Sequence, residues 1–292
     1  MLRETENFGE ILTMSVSIDS LSERVGLSAS KGYMLFNSFL LIAWMVFDLV
    51  RGRLSGYKLD SDLPYYYVGI YLLNIALYVL LANVICKPEL RATFSSLVLK
   101  GGLVSIAIGF VVNTSLALLH FASLHPVLDA VAWLLWAASE EVAKLATLLI
   151  SVKVGGFFPK ALPPGTVSVN TPREFLTLAF AVGLGFEVWE NAYYYHNWLV
   201  AGMPVEVVVN GGIYRSVTKI HGIWVAISAM SLWSSTLRNG EAVKVKPFLS
   251  SVIVSTLLHF SWNKGGHIII HAIVVACSLF ILNRRLRTAE TE

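Results

Sequence analysis

The sequence predicts an all-α fold, a polytopic transmembrane helical bundle of about eight membrane-spanning helices. The chain is 55% hydrophobic, with a mean hydropathy of +0.66. Only 14% of its residues are charged, whereas a soluble domain has about 25%. Its apolar residues also fall into runs long enough to cross a bilayer as a helix, which takes about 17–25 residues.

Eight apolar stretches mark the predicted spans. They lie at residues 32–50, 65–86, 102–122, 127–152, 173–198, 211–237, 247–263 and 266–283. In a chain of 292 residues they fill a single transmembrane domain, predicted at 32–284, and leave no room for a second sizeable soluble domain. Residues 1–31 are a polar segment whose scattered apolar positions suit a helix lying on the membrane. Residues 285–292 are a short tail.

Basic residues in the connecting segments set the predicted orientation. Lys and Arg occur between spans four and five, between six and seven, and after span eight, but not between spans three and four or between five and six. The positive-inside rule therefore places both termini in the cytoplasm, although Arg51, Arg53 and Lys58 disagree. We expect a multi-pass protein of the cell membrane. A net charge of +3, dispersed over loops, does not favour a nucleic-acid partner.

Ionisable side chains lie inside four predicted spans and are grouped rather than scattered. They are Glu140, Glu141 and Lys144 in span four, Glu187 and Glu190 in span five, Arg215, Lys219 and His221 in span six, and His259 in span seven. A charge near the middle of a bilayer costs about 2.5–3.5 kcal/mol, so such residues usually serve a function. Carboxylates and imidazoles on separate membrane helices indicate a candidate active site.

Helical spacing places the residues of span four on one face. Lys144 follows Glu140 by four positions and Glu141 by three, so the lysine can contact both carboxylates. It can neutralise one of them and leave the other available as a base. The alternative interpretation is that this Glu–Lys pairing only joins the helix to a neighbour.

Span five carries a polar stripe. Its members are Glu187, Glu190, Asn191 and Tyr194, spaced three or four residues apart. Gly183 and Gly185 would allow a neighbouring helix to approach closely. A hydrogen-bonded packing interface is the alternative, but it does not explain two glutamates. Before this span, Thr171 suits a helix N-cap, with Pro172 at the first helical position and Glu174 completing a capping box.

Span seven ends with His259 and Asn263, which lie one turn apart on the same face. His267 and His271 continue that spacing, but a Gly-Gly pair intervenes and interrupts the helix. We therefore interpret these last two histidines as structural. In span six, Arg215 lies near the start of the span, where it can either snorkel to the membrane surface or bind a carboxylate.

Four motifs occur in order on four successive spans. They are EExxK (Glu140, Glu141, Lys144), GFxxxEN (Gly185, Phe186, Glu190, Asn191), an arginine followed by a helix histidine (Arg215, His221), and HxxWN (His259, Trp262, Asn263). In this combination, over residues 127–263, the chain resembles the PrsW family of membrane proteases. That family lies in a superfamily with the CAAX prenyl endopeptidases and the γ-secretase subunit called anterior-pharynx-defective. Glu187 stands where the family pattern usually has a small residue.

The resemblance implies a role for each matching position. Glu140, or else Glu141, would activate a water as general base. His221 and His259 would polarise the scissile carbonyl or stabilise the oxyanion, with Asn263 as a neutral donor. Glu190 would lie behind them or shuttle protons, and we expect support from Lys144, Glu187, Asn191 and Arg215. The implied substrate is a membrane-anchored protein, which in bacterial relatives of this type is an anti-sigma factor.

The chemistry can also be argued from the residues. Peptide hydrolysis needs a base for water and donors for the oxyanion, and a buried glutamate can be that base near neutral pH. No Ser or Cys lies in a recognisable nucleophile setting, so we favour a glutamic-type mechanism without a cofactor. The alternative is a catalytic zinc held by Glu140, Glu190, His221 and His259, although the sequence lacks HExxH.

Two further classes of function use the same residues. A non-catalytic membrane scaffold would use the histidines for subunit packing. A proton- or cation-coupled transporter would use acidic and histidine side chains as a relay. The sequence shows no inverted repeat and no paired broken helices, which many transporter folds have. We rank an intramembrane endopeptidase first.

Overall fold

The structure, a computed structural model, describes residues 63–122, 126–154, 168–239, 241, 243–265 and 268–291. It also describes five isolated helical positions between 39 and 50. The predicted interfacial segment 1–31, most of the predicted span 32–50 and His267 lie outside the described residues.

The described part of the chain is almost entirely helical, which confirms the all-α fold class. Its helices are α1 (Leu63–Val84), α2 (Arg91–Ala122), α3 (Pro126–Leu149), α4 (Pro172–Val200), α5 (Val205–Thr218), α6 (Ile220–Ser235), α7 (Val245–Gly265) and α8 (Ile268–Thr291). Short 3₁₀ turns lie at Pro88–Leu90 and Leu237–Asn239. Strands Lys153–Val154 and Ser168–Val169 pair in parallel, between α3 and α4.

Helices α4 and α6 form the centre of the bundle. Helix α4 packs against α2 and α6, while α6 packs against α7 and α8 as well. Every residue from Ile220 to Trp233 in α6 is buried, because neighbouring helices cover all sides of this helix. Helix α3 packs on α2 and α7, and α1 packs on α5. Side chains that point inward from α3, α4, α6 and α7 therefore meet in the interior.

Two stretches of the described residues are long and apolar enough to cross a membrane. They are Pro88–Gly109 and Ile268–Thr291, judged by length and composition alone. Each of the described helices overlaps a predicted span, but the count of about eight spans stays a prediction, as does the placement of the termini.

The start of α4 confirms the predicted N-cap. The Thr171 hydroxyl oxygen accepts a hydrogen bond from the Glu174 backbone N–H (3.2 Å), which satisfies one of the free donors of the first turn. The Glu174 carboxylate accepts from the backbone N–H of Asn170 (3.2 Å), one residue earlier than in a standard capping box. Lys87 Nζ also donates to Glu174 (2.8 Å) and ties this end of α4 to the start of α2.

The predicted span 211–237 is wrong as a single helix. It is divided between α5 and α6 by Lys219, a non-glycine residue in the left-handed conformation with φ 47°. No Gly or Pro marks this break in the sequence, because polar contacts from other helices hold it. Two boundaries also differ. Helix α2 begins at Arg91 rather than at residue 102, and α8 continues through the predicted tail to Thr291.

Glycines of α4 allow the close helix approach that the sequence predicts. A Cβ at Gly185 would lie 1.9 Å from the carbonyl oxygen of Val98 in α2, and one at Gly183 would lie 2.3 Å from that of His221 in α6. Neither position can accept a methyl group without moving a backbone. The two contacts fix the distances from α4 to α2 and from α4 to α6.

The Gly185 contact can be tested by adding one methyl group. We expect Gly185→Ala to separate α4 from α2 and to destabilise the fold by about 1–3 kcal/mol, the usual cost of overpacking. The measurement is the apparent melting temperature of the detergent-solubilised chain. Gly69→Ala in α1 is the control, because a Cβ there meets nothing within 4 Å. Equal melting temperatures for the two variants would contradict the close approach.

Candidate active site

Helix α3 presents the acidic pair and its lysine to the interior, as their spacing predicts. Glu140, Glu141 and Lys144 are 3%, 1% and 0% exposed. Lys144 Nζ donates to Glu141 Oε1 at 2.6 Å and lies 3.7 Å from Glu140 Oε2. The ammonium group therefore pairs tightly with Glu141 and only loosely with Glu140. Lys144 thus contacts both carboxylates, as their spacing predicts, while the availability of the second one as a base stays a prediction.

Glu140 is held from its other side by Trp136, one turn earlier on α3. The indole Nε1–H donates to Glu140 Oε1 at 2.5 Å, and the Trp136 ring stacks on Trp133 with 5.1 Å between centroids. Glu140 Oε2 is buried and makes no hydrogen bond. One oxygen of this carboxylate is thus fixed, while the other faces the interior of the site.

Helix α7 brings His259 to both carboxylates. Its Nδ1 lies 3.0 Å from Glu141 Oε1, and its Nε2 lies 3.7 Å from Glu140 Oε2. A carboxylate can only accept, so Nδ1 carries the proton and Nε2 of the neutral ring keeps a lone pair. The His259 ring also stacks on Trp224, with centroids 4.6 Å apart. Glu141 therefore orients His259 so that its basic nitrogen faces Glu140.

His221 of α6 has both ring nitrogens occupied. Nδ1 lies 2.8 Å from Lys144 Nζ, and Nε2 lies 2.8 Å from Glu190 Oε2. Because an ammonium group has only protons to donate, Nδ1 accepts and Nε2 carries the proton toward Glu190. The ring centroid lies 4.9 Å from that of His259. The side chains from α3, α4, α6 and α7 therefore meet at one place.

Arg215 binds Glu190, as the sequence predicts for an arginine in that position. Arg215 Nη2 donates to Glu190 Oε2 and Nε donates to Asn191 Oδ1, both at 2.8 Å. The guanidinium also lies 3.9 Å from the centroid of the Tyr194 ring. The side chains of Glu190 and Arg215 are each 16% exposed. Three members of the polar stripe on α4 thus fasten α5, and the Glu190–Arg215 pair is the more exposed edge of the site.

Glu187, the fourth member of the stripe, contacts the backbone of His221 rather than its ring. Its Oε2 accepts from the His221 backbone N–H at 3.2 Å, and its Oε1 lies 3.8 Å from Lys219 Nζ. A carboxylate at the start of α6 is favourably placed toward the positive end of the helix dipole. Glu187 and Glu190 therefore differ in their partners, since Glu190 contacts the imidazole and Glu187 contacts the backbone that carries it.

Asn263 and His271 lie away from this hydrogen-bonded group. Asn263 is half-buried one turn beyond His259, and among the described residues its side chain makes no hydrogen bond to the site. Its role as an oxyanion donor stays a prediction. His271 Nε2 donates to the Trp262 carbonyl (3.0 Å), and its ring stacks on Trp262 at 4.3 Å. These contacts agree with a structural role for His271.

Three of the side chains fit a metal ion. Glu140, His221 and His259 each offer one ligand atom, and these atoms lie within 4.8 Å of one another. Two imidazoles and a carboxylate are a usual donor set for catalytic zinc, and Glu141 would orient His259 as outer carboxylates do in such centres. Glu190 does not belong to this group, because its Oε2 already accepts from His221 and Arg215.

The buried charges of the described site do not balance. Its carboxylates are Glu140, Glu141, Glu187 and Glu190, and its cationic groups are Lys144, Arg215 and Lys219. With all of them ionised, one negative charge is left over. A buried unpaired charge is expensive, so either a proton or a cation must compensate it. In a glutamic-type mechanism Glu140 would take up a proton from water, and in a metal-dependent mechanism a zinc ion would supply the positive charge.

Several groups that build the site carry no polar signal in the sequence. Trp136 and Trp224 lie within apolar runs, and only the i, i+4 spacing of Trp136 and Glu140 points to their hydrogen bond. Phe186 was noted only as part of a motif, yet its ring lies 4.3 Å from Lys144 Nζ. Asn74 could not be recognised from the sequence, because only the packing of α1 on α5 brings it next to Lys219.

The chain matches the model of a known protein family. The family model described as PrsW family intramembrane metalloprotease matches residues 90–283, well over half of the chain. The match includes α3 to α7 and excludes α1. No curated protein and no solved structure matches the chain.

The Lys144 contacts predict how the site responds to loss of its cation. Lys144→Met leaves Glu141 buried without its partner, which should destabilise the chain by about 3–5 kcal/mol. The double variant Glu141→Gln/Lys144→Met removes both charges and should recover much of the loss in apparent melting temperature. Lys100→Met is the control, since exposed Lys100 donates only to Ser151. A double variant no more stable than Lys144→Met would contradict the pairing.

Proposed function

Since the chain belongs to the PrsW family of intramembrane metalloproteases, and is therefore a membrane-embedded protease, we propose that it is an endopeptidase acting on a membrane-anchored protein. Water would attack a peptide bond within or beside the membrane, at the cluster of Glu140, His221 and His259. The observation that carries this proposal is the meeting of these three groups, each from a different helix, within 4.8 Å.

Glu140 is the group best placed to take the proton of the attacking water. Its Oε2 is buried, makes no hydrogen bond and faces His259 Nε2 at 3.7 Å. Its Oε1 is fixed by Trp136, so the carboxylate need not reorganise when it accepts a proton. Glu141 also has one oxygen without a hydrogen bond, but its Oε1 is held by the Lys144 ammonium and by His259 Nδ1. This division supports Glu140 as the base and Glu141 as a positioning group.

The oxyanion requires donors within the same interior. The Lys144 ammonium, 3.7 Å from Glu140 Oε2, and the Nε2–H of His221, whose ring centroid lies 4.9 Å from that of His259, would serve as these donors, since preorganised donors stabilise developing negative charge. Protonated Glu140 or His259 can then return a proton to the leaving amine. These steps balance, because the proton taken from water is the one that the amine receives.

A metal-dependent form of the same reaction is the second candidate. It is favoured by the unbonded Glu140 Oε2 and by the uncompensated negative charge of the site. Glu140, His221 and His259 would hold the ion. Because Lys144 occupies Nδ1 of His221, Nε2 would have to exchange its hydrogen bond with Glu190 for the ion. When bound, a divalent metal supplies Lewis-acid polarisation of the scissile carbonyl. Glu141 would then orient the imidazole of His259 through Nδ1.

The proposed activity can be tested with the purified full-length chain and a model transmembrane substrate. We expect Glu140→Gln, His221→Ala and His259→Ala each to lower the cleavage rate by more than about 100-fold, the range for loss of an acid–base or oxyanion group. Glu206→Gln, an exposed carboxylate on α5, and His271→Phe are the controls and should cleave like the parent chain. Cleavage that survives all three site substitutions would refute the assignment.

The metal question requires a separate measurement. If the metal-dependent form is correct, elemental analysis of the purified chain should find about one zinc per chain, and His259→Gln should remove most of it because a ligand is lost. Glu206→Gln should retain the parent's content. A metal-free chain that cleaves in the presence of a chelator would instead select the form in which Glu140 works alone.

A further inference from the structure

The joint between α5 and α6 is a strained point one residue away from the start of the helix that carries His221. Lys219 ends α5 and precedes α6 with φ 47°. A non-glycine residue pays roughly 1–2 kcal/mol in this conformation, so it persists where surrounding contacts hold it. His221 is the second residue of α6. Any rotation of this first turn would move its imidazole.

Glu187 holds the joint from α4. Its Oε2 accepts from the His221 backbone N–H at 3.2 Å, which satisfies a donor that the first turn of α6 cannot satisfy internally. Its Oε1 lies 3.8 Å from Lys219 Nζ. Both side chains are at least nine-tenths buried, at 2% and 8% exposure. One carboxylate thus holds both the residue at the break and the backbone of the histidine.

Asn74 holds the joint from α1. Its Oδ1 accepts from Lys219 Nζ at 3.2 Å, and its Nδ2 donates to Ser216 of α5 at 2.7 Å. A further bond from Nδ2 to the carbonyl of Ile70 (3.0 Å) fixes the amide on its own helix. Asn74 is 3% exposed. It lies outside the segment that matches the family, residues 90–283.

We infer that Asn74, Lys219 and Glu187 form a positioning unit that sets the orientation of His221. His221 makes two hydrogen bonds of 2.8 Å, to Lys144 on one side and to Glu190 on the other. Both bonds require one particular ring placement, and the three residues fix the backbone from which the ring projects. Helix α1 therefore contributes to the orientation of His221 through the side-chain amide of Asn74. This inference rests on the proposed function for its kinetic consequence, although its structural part does not.

The same region leaves little room for α6 to shift in compensation. A Cβ at Gly183 would lie 2.3 Å from the carbonyl oxygen of His221 and 2.6 Å from the Cα of Gly222. Helix α4 thus contacts the first turn of α6 directly. If the backbone at Lys219 changes, the first turn of α6 cannot move toward α4, because the two helices are already in contact. The change must then rotate the His221 imidazole or separate the two helices.

Asn74 and Asn83 provide a matched pair for the test. Both lie on α1, and each donates to the carbonyl four residues earlier, but Asn83 is exposed and makes no contact with the joint. With the full-length chain and a transmembrane substrate, we expect Asn74→Leu to lower kcat about 10- to 100-fold, as expected for loss of an outer hydrogen bond to a catalytic group. KM should stay within about twofold. Asn83→Leu should match the parent chain.

The positioning role predicts how much activity different substitutions at the joint retain. Glu187→Gln keeps an oxygen that can accept from the His221 backbone, so it should retain more activity than Glu187→Ala. Lys219→Asn keeps a residue that tolerates the left-handed conformation but removes the ammonium, so it should lower kcat as Asn74→Leu does. An Asn74→Leu chain with parental kcat, or Glu187→Gln no better than Glu187→Ala, would overturn the inference.

Amide hydrogen exchange separates this inference from the proposed function. The His221 backbone N–H is bonded to Glu187, so a peptide covering residues 219–224 should exchange faster in Asn74→Leu and Glu187→Ala than in Asn83→Leu. This readout needs no substrate. If the parent chain cleaves nothing but exchange responds as stated, the proposed function fails and the positioning unit stands. Unchanged exchange in both joint variants refutes the unit whatever the kinetics show.

Discussion

The Lys144 ammonium group is the contact on which the arrangement of this site depends. It is fully buried, and it lies 2.6 Å from Glu141, 2.8 Å from Nδ1 of His221 and 3.7 Å from Glu140. Removing an ammonium ion from water costs several kcal/mol, so the folded chain must supply partners for all of its protons. Those partners come from α3 and α6. The need to solvate one cation therefore brings the acidic pair and an imidazole together.

The same cation makes two adjacent glutamates unequal. Glu141 shares its Oε1 between Lys144 and His259, whereas Glu140 has one oxygen fixed by Trp136 and the other without a hydrogen bond. A base needs a lone pair that no neighbour already occupies. Each glutamate keeps one buried oxygen without a hydrogen bond. That of Glu140 lies 3.7 Å from His259 Nε2, whereas Glu141 is paired through its other oxygen with an ammonium group and an imidazole.

Helical periodicity predicted much of this site, because it depends on the spacing of residues along a single helix. The pairing within α3 and the cap at Thr171 are contacts over three or four residues, and both are found. The stripe on α4 has the same spacing, although the partners of its side chains lie on other helices. The break at Lys219 could not be predicted, since it is imposed by Glu187 and Asn74 from other helices rather than by Gly or Pro. The role of Asn74 was hidden for the same reason, as its partner Lys219 is 145 residues away in the chain.

Buried charge explains why the helices must be arranged in this way. On a hydropathy scale every carboxylate in an apolar helix is unfavourable. Three of the four here nevertheless have a cation of their own, since Glu141 pairs with Lys144, Glu190 with Arg215 and Glu187 with Lys219. Glu141 and Glu190 use those partners to hold imidazoles, and Glu187 holds the backbone beneath one of them. Glu140 has no cation of its own in the described site, because Lys144, 3.7 Å away, is paired with Glu141 at 2.6 Å. In a low-dielectric interior such a carboxylate gains most from binding a proton or a metal ion, which is what a base that accepts the proton of water, or a metal ligand, does.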